Sequence, residues 1–352
     1  MESRPTLESV AARAAVSRQT VSNVLNAPHL VRPETLERVQ AVIAELGYRP
    51  HGAARQLRTR RSRVIGLRLQ PTVDGINGTV LDHFLHALTE QAQLRGYRVM
   101  LFTAPDDDGE IGQYSELLDT LEIDAFVLTS THHGDDRTRW LSEHDVPFVT
   151  FGRPWDSPDS APGPDHAWVD VDGAAGTRAA VEHLQALGHH RIAFIGWPAG
   201  SDTGDDRRRG WRRAMQAAGV PDHELDALDI GAVDAVGNGA EAAQRLMERV
   251  SPTAFVCVSD SLALGALAAT RPIGTDPPGA PPRPAVVGFD DTPVARAVGL
   301  SSVAQPLTEA AGRALALLLD QLGSRPQAGS PADRHVLLSP SLVARASSLP
   351  AA

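Results

Sequence analysis

The stretch "TLESVAARAAVSRQTVSNVLN" (residues 6–26) contains two short helical patterns separated by a tight break. In the first pattern, apolar side chains recur at helical spacing behind Thr6, a residue type that caps helix N-termini well. In the second pattern, Ser17 takes the capping position and the apolar face begins at Val21. The stretch therefore predicts two short helices joined by a turn.

A third helical pattern runs from Pro33 to Gly47, with proline suited to the first helical position and glycine to the end. Three short helices can form a purely structural bundle, but the second helix favours another interpretation. Its polar face carries guanidinium, amide and hydroxyl groups, from Arg18, Gln19, Ser22 and Asn23. These groups match base edges and phosphates in a DNA major groove. The pattern therefore favours a DNA-binding head.

With these features, residues 6–26 resemble the helix-turn-helix of the lactose-repressor (LacI) family of bacterial transcription regulators. The positions that match the family pattern are Thr6, Val10, Ala11, Ala14, Val16, Ser17, Thr20, Val21, Ser22, Val24, Leu25 and Asn26. The resemblance implies that Arg18, Gln19 and Asn23 read bases. One departure is Arg32, where the family usually has Ser or Thr; a phosphate contact and a solvated arginine both remain open for it.

The segment "PHGAARQLRTRRSR" (residues 50–63) is too short and too basic to form a stable helix by itself. Family members carry Asn-x-x-Ala-Arg-x-Leu here, and Ala54, Arg55 and Leu57 match, although His51 replaces the asparagine. The resemblance implies a hinge helix that folds on operator DNA, with Leu57 inserted into the minor groove. Ordinary packing of Leu57 against the body is the alternative. The predicted DNA-contacting residues are Thr6, Ser17, Arg18, Gln19, Thr20, Ser22, Asn23, Asn26, Arg55, Leu57 and Arg58.

Charge is distributed unevenly between the two ends of the chain. Residues 1–63 contain 11 Arg and 5 Asp or Glu, a net charge of +6. The remaining residues, 64–352, carry −16, which gives the total of −10 for the chain. A small basic unit before a large acidic one indicates a polyanion-binding head on a body with another role.

From Val64 onwards, strand and helix patterns alternate along the chain. Repeated strand–helix–strand units predict parallel sheets with helices on both faces. The matching landmarks of the family are "VDVDGAAGTRAAVEHLQALGHHRIAFIG", "VSDSLALGAL", "VVGFDD", "SSVAQP" and "VLLSPSLVARASS". The resemblance implies a periplasmic-binding-protein-like body of two lobes, crossed three times by the chain, with a small ligand in the cleft.

The predicted fold is a small all-α helix-turn-helix head plus an α/β two-lobed body. We expect the head at residues 1–49, the hinge helix and linker at 50–63, and the effector-binding and dimerisation domain at 64–347. The segment "RPWDSPDSAPGPDH", rich in Pro, Ser and Asp, suggests a linker between the lobes. The predicted lobe boundaries are about 64–162 plus 294–325 for the N-lobe and about 165–292 plus 328–347 for the C-lobe.

The resemblance implies four effector-binding residues in a cleft into which strand carboxyl ends point. By resemblance, Arg207 takes the place of an arginine that forks onto ligand oxygens, and Asp290 that of the acidic acceptor for sugar hydroxyls. Ser259 occupies a position often filled by Asn in the family, and Arg153 in "FGRP" completes the set.

Several functional classes find no support in the sequence. The paired histidines at 132–133 and 189–190 have no partners at metal-ligand spacing, so no metal site is predicted. "GNGAEA" (237–242) fits a loose dinucleotide-binding pattern, but no clear apolar strand enters it, and no cofactor is predicted. Cys257 lies in an apolar strand pattern and is expected to be an inert core thiol. No nucleophile elbow, P-loop or HExxH motif is present, which disfavours an enzyme.

The sequence therefore predicts a homodimeric transcription regulator that binds a pseudo-palindromic operator and responds to a small molecule. A sugar is the predicted effector, with a nucleobase-like or other polar compound as the alternative. Activation instead of repression stays open. A free solute-binding protein is a rival class, but the start of the chain lacks a secretory signal pattern and no apolar run reaches about 18 residues. We expect a cytoplasmic, nucleoid-associated protein without a tetramerising heptad tail.

Overall fold

A computed structural model describes residues 5–48, 61–70, 78–120, 123–155, 165–270, 283–323 and 334–349. Contacts divide the chain into two units, Met1–Ser62 and Arg63–Ala352, which are described separately below as the head and the body. Residues 49–60 lie outside the described residues. The predicted DNA contacts of Arg55, Leu57 and Arg58 therefore remain predictions.

The described part of the head consists of α1 (Leu7–Ala14), α2 (Arg18–Asn26), a 3₁₀ turn (Pro28–Leu30) and α3 (Pro33–Leu46). Thr6 caps α1 through a reciprocal pair of hydrogen bonds with Ser9, and the Ser17 side chain accepts from the Thr20 backbone N–H at the start of α2. Gly47 ends α3 in the left-handed conformation, at φ +60°. The inward apolar side chains form one small core, so the three predicted helices are confirmed.

The first lobe of the body contains a six-stranded parallel sheet in the order β11-β5-β4-β3-β1-β2. Its strands are β1 (Val64–Arg68), β2 (Arg98–Phe102), β3 (Ala125–Thr129), β4 (Phe148–Phe151), β5 (Trp168–Val171) and β11 (His335–Leu338). The helices of this lobe are α4 (Gly78–Leu94), α5 (Asp107–Asp119), α6 (Asp136–Glu143) and α13 (Leu307–Leu322). Buried aliphatic and alanine side chains of the central strands, α4 and α13 form the core on one face of this sheet.

The second lobe contains a sheet in the order β12-β10-β9-β8-β6-β7. Its strands are β6 (Ile192–Gly196), β7 (Asp229–Gly231), β8 (Ala254–Cys257), β9 (Ala285–Asp290), β10 (Ser301–Ala304) and β12 (Ser341–Val343). Its helices are α7 (Gly173–Ala186), α8 (Thr203–Ala217), α9 (Asp222–Leu228), α10 (Val236–Val250), α11 (Asp260–Thr270) and α12 (Pro293–Val298). The edge strand β12 runs antiparallel to β10, which departs from the all-parallel prediction.

The chain passes between the lobes three times, between β5 and α7, between β10 and α13, and between β11 and β12. The predicted lobe boundaries were therefore wrong in part. Residues 168–171 and 335–338 belong to the first lobe, whereas α12 and β10 belong to the second. The prediction of an inter-lobe linker at 153–166 was also wrong, because the strands before and after it, β4 and β5, pair with each other in the first lobe. Loop-like composition does not reveal which sheet the next strand joins.

The motif "GNGAEA" lies inside α10, where its glycine at 239 permits close packing of α10 on α11. A Cβ atom at Gly239 would come within 2.7 Å of Leu262 Cα, and one at Gly265 would come within 2.5 Å of the Ala240 backbone nitrogen. The glycines therefore have a packing role in the structure.

Candidate functional sites

In the head, Val21 and Val24 form the buried apolar face of α2, whereas Arg18 and Gln19 of the same helix are exposed. The Gln19 amide Nε2 donates to Asn23 Oδ1 at 3.0 Å, which places the two polar groups side by side on successive turns. Arg18 makes an exposed 2.9 Å ion pair with Glu8, a contact that salt would screen. The predicted base-reading residues thus share one outward face of α2.

A hollow of about 340 Å³ on the head brings further polar residues next to α2. Among the residues that line it are Ser17, Thr20, Asn23, Arg32 and Arg38. Arg32 directly precedes α3 and forms no side-chain cap, consistent with its departure from the Ser or Thr of the family pattern. Two guanidinium groups beside the α2 face supply charge suited to backbone phosphates. Arg38 was not identified from the sequence.

In the body, a cavity of about 380 Å³ lies between the two lobes. Both sheets point the carboxyl ends of their parallel strands towards it, which is where ligands bind in open α/β sheets. The lining residues are Val80, Leu81, Ser130, Thr131, Phe151, Gly152, Asp170, Val171, Trp197, Ser201, Thr203, Arg207, Asp234, Asp290 and Gln305. Its volume lies within the range of about 300–1,000 Å³ common for small-molecule sites.

Arg207 and Asp290 face each other in this cleft, as the resemblance implied. Arg207 Nη1 lies 3.5 Å from Asp290 Oδ1 and donates to the Val258 carbonyl at 2.6 Å. Its guanidinium stacks on the Phe289 ring, with Cζ 3.6 Å from the ring centroid. Gln305 Nε2 donates to Asp290 Oδ1 at 2.7 Å. Arg207 is therefore held in position by contacts on several sides.

The carboxyl group of Asp290 has an altered acidity. Burial raises its pKa to about 7, and the Asp260 carboxylate adds to the increase, whereas Arg207 and Gln305 oppose it. Asp290 also has a backbone φ of +108°, a conformation that non-glycine residues rarely adopt. The end of β9 therefore holds a carboxyl group that titrates close to neutral pH.

The other two predicted effector residues, Ser259 and Arg153, do not line the cavity but contact residues that do. Ser259 is buried and donates to Asp234 Oδ1 at 2.5 Å. Arg153 donates to Asp170 at 2.5 Å and to Asp206 at 3.1 Å. Ser259 thus holds Asp234 through a hydrogen bond without lining the cavity itself. Burial raises the pKa of Asp170, and the positive charge of Arg153 opposes this rise.

Several lining residues were not identified from the sequence, chiefly Asp170, Trp197, Ser201, Asp234 and Gln305. Asp170 lies in β5, Trp197 directly follows β6, and Asp234 follows β7. The rule that strand ends face the cleft could have identified them. The short strands β5 and β7 were not predicted, so two of these ends were not recognised.

Asp107 lies close enough to His132 and Asp135 for the three side chains to hold a metal ion, although Asp107 precedes His132 by 25 residues. Arg137 already binds both oxygens of Asp135, and Arg68 and Arg137 each lie 3.6 Å from Asp107 Oδ1. Burial lowers the pKa of His132, but hydrogen bonds to the His133 carbonyl and Asp107 raise it overall, which favours the imidazolium form. This cluster is therefore better described as a neutralised ion-pair network.

Two further features concern a cysteine nucleophile and a membrane-spanning helix. Cys257 is fully buried in β8, and burial raises the pKa of its thiol, which makes it a poor nucleophile. Among the described helices, none combines the length and apolarity required to cross a lipid bilayer.

Comparison with known proteins agrees with this architecture. Residues 6–51 match the family model of bacterial regulatory proteins of the lacI family, and residues 181–348 match the periplasmic binding protein-like domain. The chain is 36% identical over 328 residues to the HTH-type transcriptional regulator CelR of Thermobifida fusca, covering 90% of this chain and 91% of that protein.

Two solved structures are similar over nearly the whole chain. The transcriptional regulator CelR–cellobiose complex has a TM-score of 0.68 at 30% identity, covering 98% of this chain and 100% of that chain. The lac repressor dimer bound to operator and the anti-inducer ONPF has a TM-score of 0.78 at 25% identity, covering 99% and 100%. A helix-turn-helix head and a two-lobed body with a cleft define a DNA-binding transcription regulator. The chain belongs to the LacI family of bacterial regulatory proteins, which confirms the predicted family and fold class.

Proposed function

We propose that this regulator is a homodimeric repressor of carbohydrate-utilisation genes, released from a pseudo-palindromic operator when a sugar binds in the body cleft. The observation that carries the proposal is the set of polar groups around one cavity. The carboxylates of Asp170, Asp234 and Asp290 accept hydrogen bonds, while Arg207 and Gln305 supply donors. Sugar hydroxyls donate and accept, so this arrangement suits a polyhydroxylated ring.

The apolar part of the lining supports the same proposal. Trp197 and Phe151 contribute rings to the cavity, and Phe151 stacks on Phe84 with ring centroids 4.3 Å apart. Aromatic rings can cover the carbon–hydrogen faces of a pyranose, while its hydroxyls reach the polar groups at the edge. The similarity to CelR, whose solved structure contains cellobiose, supports this assignment.

The head supports the proposed operator binding. The exposed Arg18 and Gln19 and the half-buried Asn23 share one face of α2, with Arg32 and Arg38 beside it. Two such heads in a dimer would read two half-sites, as expected from the similar lac repressor dimer bound to its operator. We propose a binding function without catalysis, in a protein that works in the cytoplasm on the nucleoid.

The direct test is a thermal-shift measurement on the full-length protein. The sugar panel contains cellobiose, maltose, lactose and galactose, and the nucleobase panel contains adenine, guanine and hypoxanthine. A sugar at about 100 times its Kd should stabilise the native state by about 2.7 kcal/mol and raise Tm. A rise with nucleobases alone, or no rise with any sugar, would reject the sugar proposal.

A matched pair of arginine variants on α8 tests the site. Arg207→Ala should abolish the sugar-dependent rise in Tm, because it removes a buried donor that lines the cavity. Arg209→Ala should retain the rise, because its side chain is 52% exposed and lies outside the lining. Both variants should still bind an operator selected from random DNA, and loss of sugar response in both would place the site elsewhere.

A further inference from the structure

Three polar side-chain atoms of the cavity-lining residues are buried and make no hydrogen bond to any described residue. They are Trp197 Nε1, Ser201 Oγ and Arg207 Nε. By contrast, the buried indole of Trp211 donates from Nε1 to the Ile192 carbonyl at 3.2 Å. Buried polar groups in folded proteins nearly always have a partner, so three unsatisfied donors around one cavity point to a ligand.

Packing holds Trp197 and Ser201 where they are. A Cβ atom at Gly204, in the first turn of α8, would collide with Ser201 Oγ and lie 2.9 Å from Trp197 Cε3. The guanidinium of Arg207 lies near the Trp197 ring, with Cζ 5.6 Å from its centroid. Trp197 and Ser201 thus both pack close to the first turn of α8, where the absence of a side chain at Gly204 leaves room for them.

The charges around the cavity limit the ligand class. Arg207 is the only Arg or Lys among the described lining residues. Its Nη1 already donates to the Val258 carbonyl and lies 3.5 Å from Asp290 Oδ1. Asp234 adds a carboxylate on the same lobe. A phosphate or carboxylate ligand would therefore meet a single cation in this lining, whose charge is already paired with Asp290, and would lie close to negative charge, which costs free energy in a low-dielectric site.

We propose that Trp197 Nε1 and Ser201 Oγ donate hydrogen bonds to oxygens of an uncharged sugar ring and so select neutral sugars over their phosphorylated forms. This inference rests on the proposed function, because it concerns the same cleft. Trp197 and Ser201 determine specificity here, together with Asp234 as acceptor. An ether or hydroxyl oxygen satisfies a neutral N–H or O–H donor without bringing a charge into the site.

The test measures cellobiose binding by calorimetry on full-length protein, or binding of whichever panel sugar raises Tm. Trp197→Phe keeps an aromatic ring but removes Nε1, and Ser201→Ala removes Oγ. Each should weaken the Kd by about 3- to 10-fold, the worth of one neutral hydrogen bond. Ser201→Ala should not lower Tm without sugar, because it removes only an unsatisfied buried atom, whereas Trp197→Phe should lower it only by the cost of the space that the smaller ring leaves. A lower sugar-free Tm with unchanged Kd would show a merely structural role and overturn the proposal.

Trp155→Phe is the matched control. Trp155 Nε1 is also buried without a hydrogen-bond partner among the described residues, but Trp155 is outside the residues that line the cavity. This variant should bind the sugar with the wild-type Kd. Equal losses in Trp155→Phe and Trp197→Phe would mean that the donors act through general packing, and the proposal would fail.

The charge selection is tested with cellobiose and its 6′-phosphate, or the corresponding pair for the sugar that binds. The phosphate should bind at least about 10-fold more weakly, and Asp234→Asn should reduce this difference. Phosphate binding equal to or tighter than that of the neutral sugar would overturn the selection. If wild-type protein responds to no sugar, the proposed function itself fails. If it responds but Trp197→Phe and Ser201→Ala keep the wild-type Kd, only the present inference fails.

Discussion

Asp290 carries a carboxyl group whose acidity is set by its surroundings. It ends β9 beside Arg207 and Gln305, and it lies near the buried Asp260. Removal from water disfavours the ionised form more than these partners favour it, so the pKa rises to about 7. Because Asp290 lines the proposed effector site, effector binding there should depend on pH.

The pH dependence of stability follows from this pKa. An unfolded aspartate titrates at about 3.9, so the contribution of Asp290 to stability is present below pH 4 and lost as pH rises through about 7. Asn cannot ionise. The Tm of Asp290→Asn minus that of wild type, measured without effector, should therefore be larger at pH 8 than at pH 5.

The control for this measurement is Asp222→Asn. Hydrogen bonds from Gln216 and Arg212 lower the pKa of this exposed carboxyl, so its substitution should produce no such rise between pH 5 and pH 8. A difference for Asp290→Asn that stays flat or decreases with pH would contradict the raised pKa.

Gln19 is predicted to read a base from the exposed face of α2. Gln19→Ala should weaken operator binding by roughly 1–3 kcal/mol and relax the preference at one position of each half-site. Gln40→Ala, at an exposed glutamine of α3 outside the hollow beside α2, should leave affinity unchanged. Binding to a library of half-site variants is the measurement. Equal loss on operator and random DNA would instead identify Gln19 as a phosphate contact.

Helix α10 contains glycines whose spacing resembles a dinucleotide-binding motif but serves helix packing. Its first turn contains Gly237 and Gly239, but only Gly239 meets another backbone, at Leu262 of α11. Close approach of two helices requires that the intervening side chain be absent, and glycine is the residue that permits it. The spacing of glycines in this helix thus reflects its partner helix.

Substitution of these two glycines should have opposite effects. Gly239→Ala should lower the free energy of unfolding by about 1–3 kcal/mol or more, because its Cβ would meet the Leu262 backbone. Gly237→Ala has open space around it and should stabilise α10 by up to about 1 kcal/mol. Urea unfolding measures both. Similar destabilisation by the two variants would contradict the packing role of Gly239.

The predicted hinge helix is a second element with its own test, although its residues lie outside the described ranges. Leu57→Ala should reduce operator affinity and DNA bending together, because an apolar wedge supports the kink in the minor groove. The Tm without DNA should hardly change. Fluorescence transfer on a labelled operator measures the bend. A large drop in Tm with an unchanged bend would instead indicate a core leucine, whose truncation costs about 2–5 kcal/mol.

In the body as a whole, the two lobes are joined by three chain crossings and by polar contacts across the cleft. Arg153, after β4 of the first lobe, contacts Asp206 on α8 of the second. The Asp202 carboxylate in the loop before α8 accepts from the His133 backbone N–H at 2.9 Å. These contacts lie close to the cavity, because Arg153 also binds the lining residue Asp170.

Removal of Arg153 should strongly destabilise the body. Arg153→Met would leave the buried carboxylates of Asp170 and Asp206 without this cation, at a cost of about 3 kcal/mol. Asp170→Asn in the same background should restore part of the loss. The control Arg178→Met breaks an exposed pair with Glu182 and should cost less than about 1 kcal/mol. Equal unfolding free energies for both arginine variants would contradict the importance of the bridge.

The sequence identified the residues whose chemistry depends on a local pattern. Caps such as Thr6 and Ser17, and the apolar spacing of α1 to α3, act within a few residues of one another. Arg207 and Asp290 were found by resemblance and do line the cavity, but Ser259 and Arg153 lie behind it. The position of a residue in a motif indicates that it lies near the cleft. It does not indicate whether another side chain separates that residue from the cavity.

The amino-acid sequence by itself determined the three-helix head, the alternating body and the family, because helix caps, periodicity and motif spacing depend on near neighbours. Only the tertiary structure decided which lobe holds β5, β11 and β12, since strand pairing joins segments well separated in the sequence, as in the pairing of His335 in β11 with Trp168 in β5. It alone brought Trp197, Ser201 and Asp234 to one cavity with Asp290. It also raised the pKa of Asp290, because burial and neighbouring charges arise only when distant segments pack together.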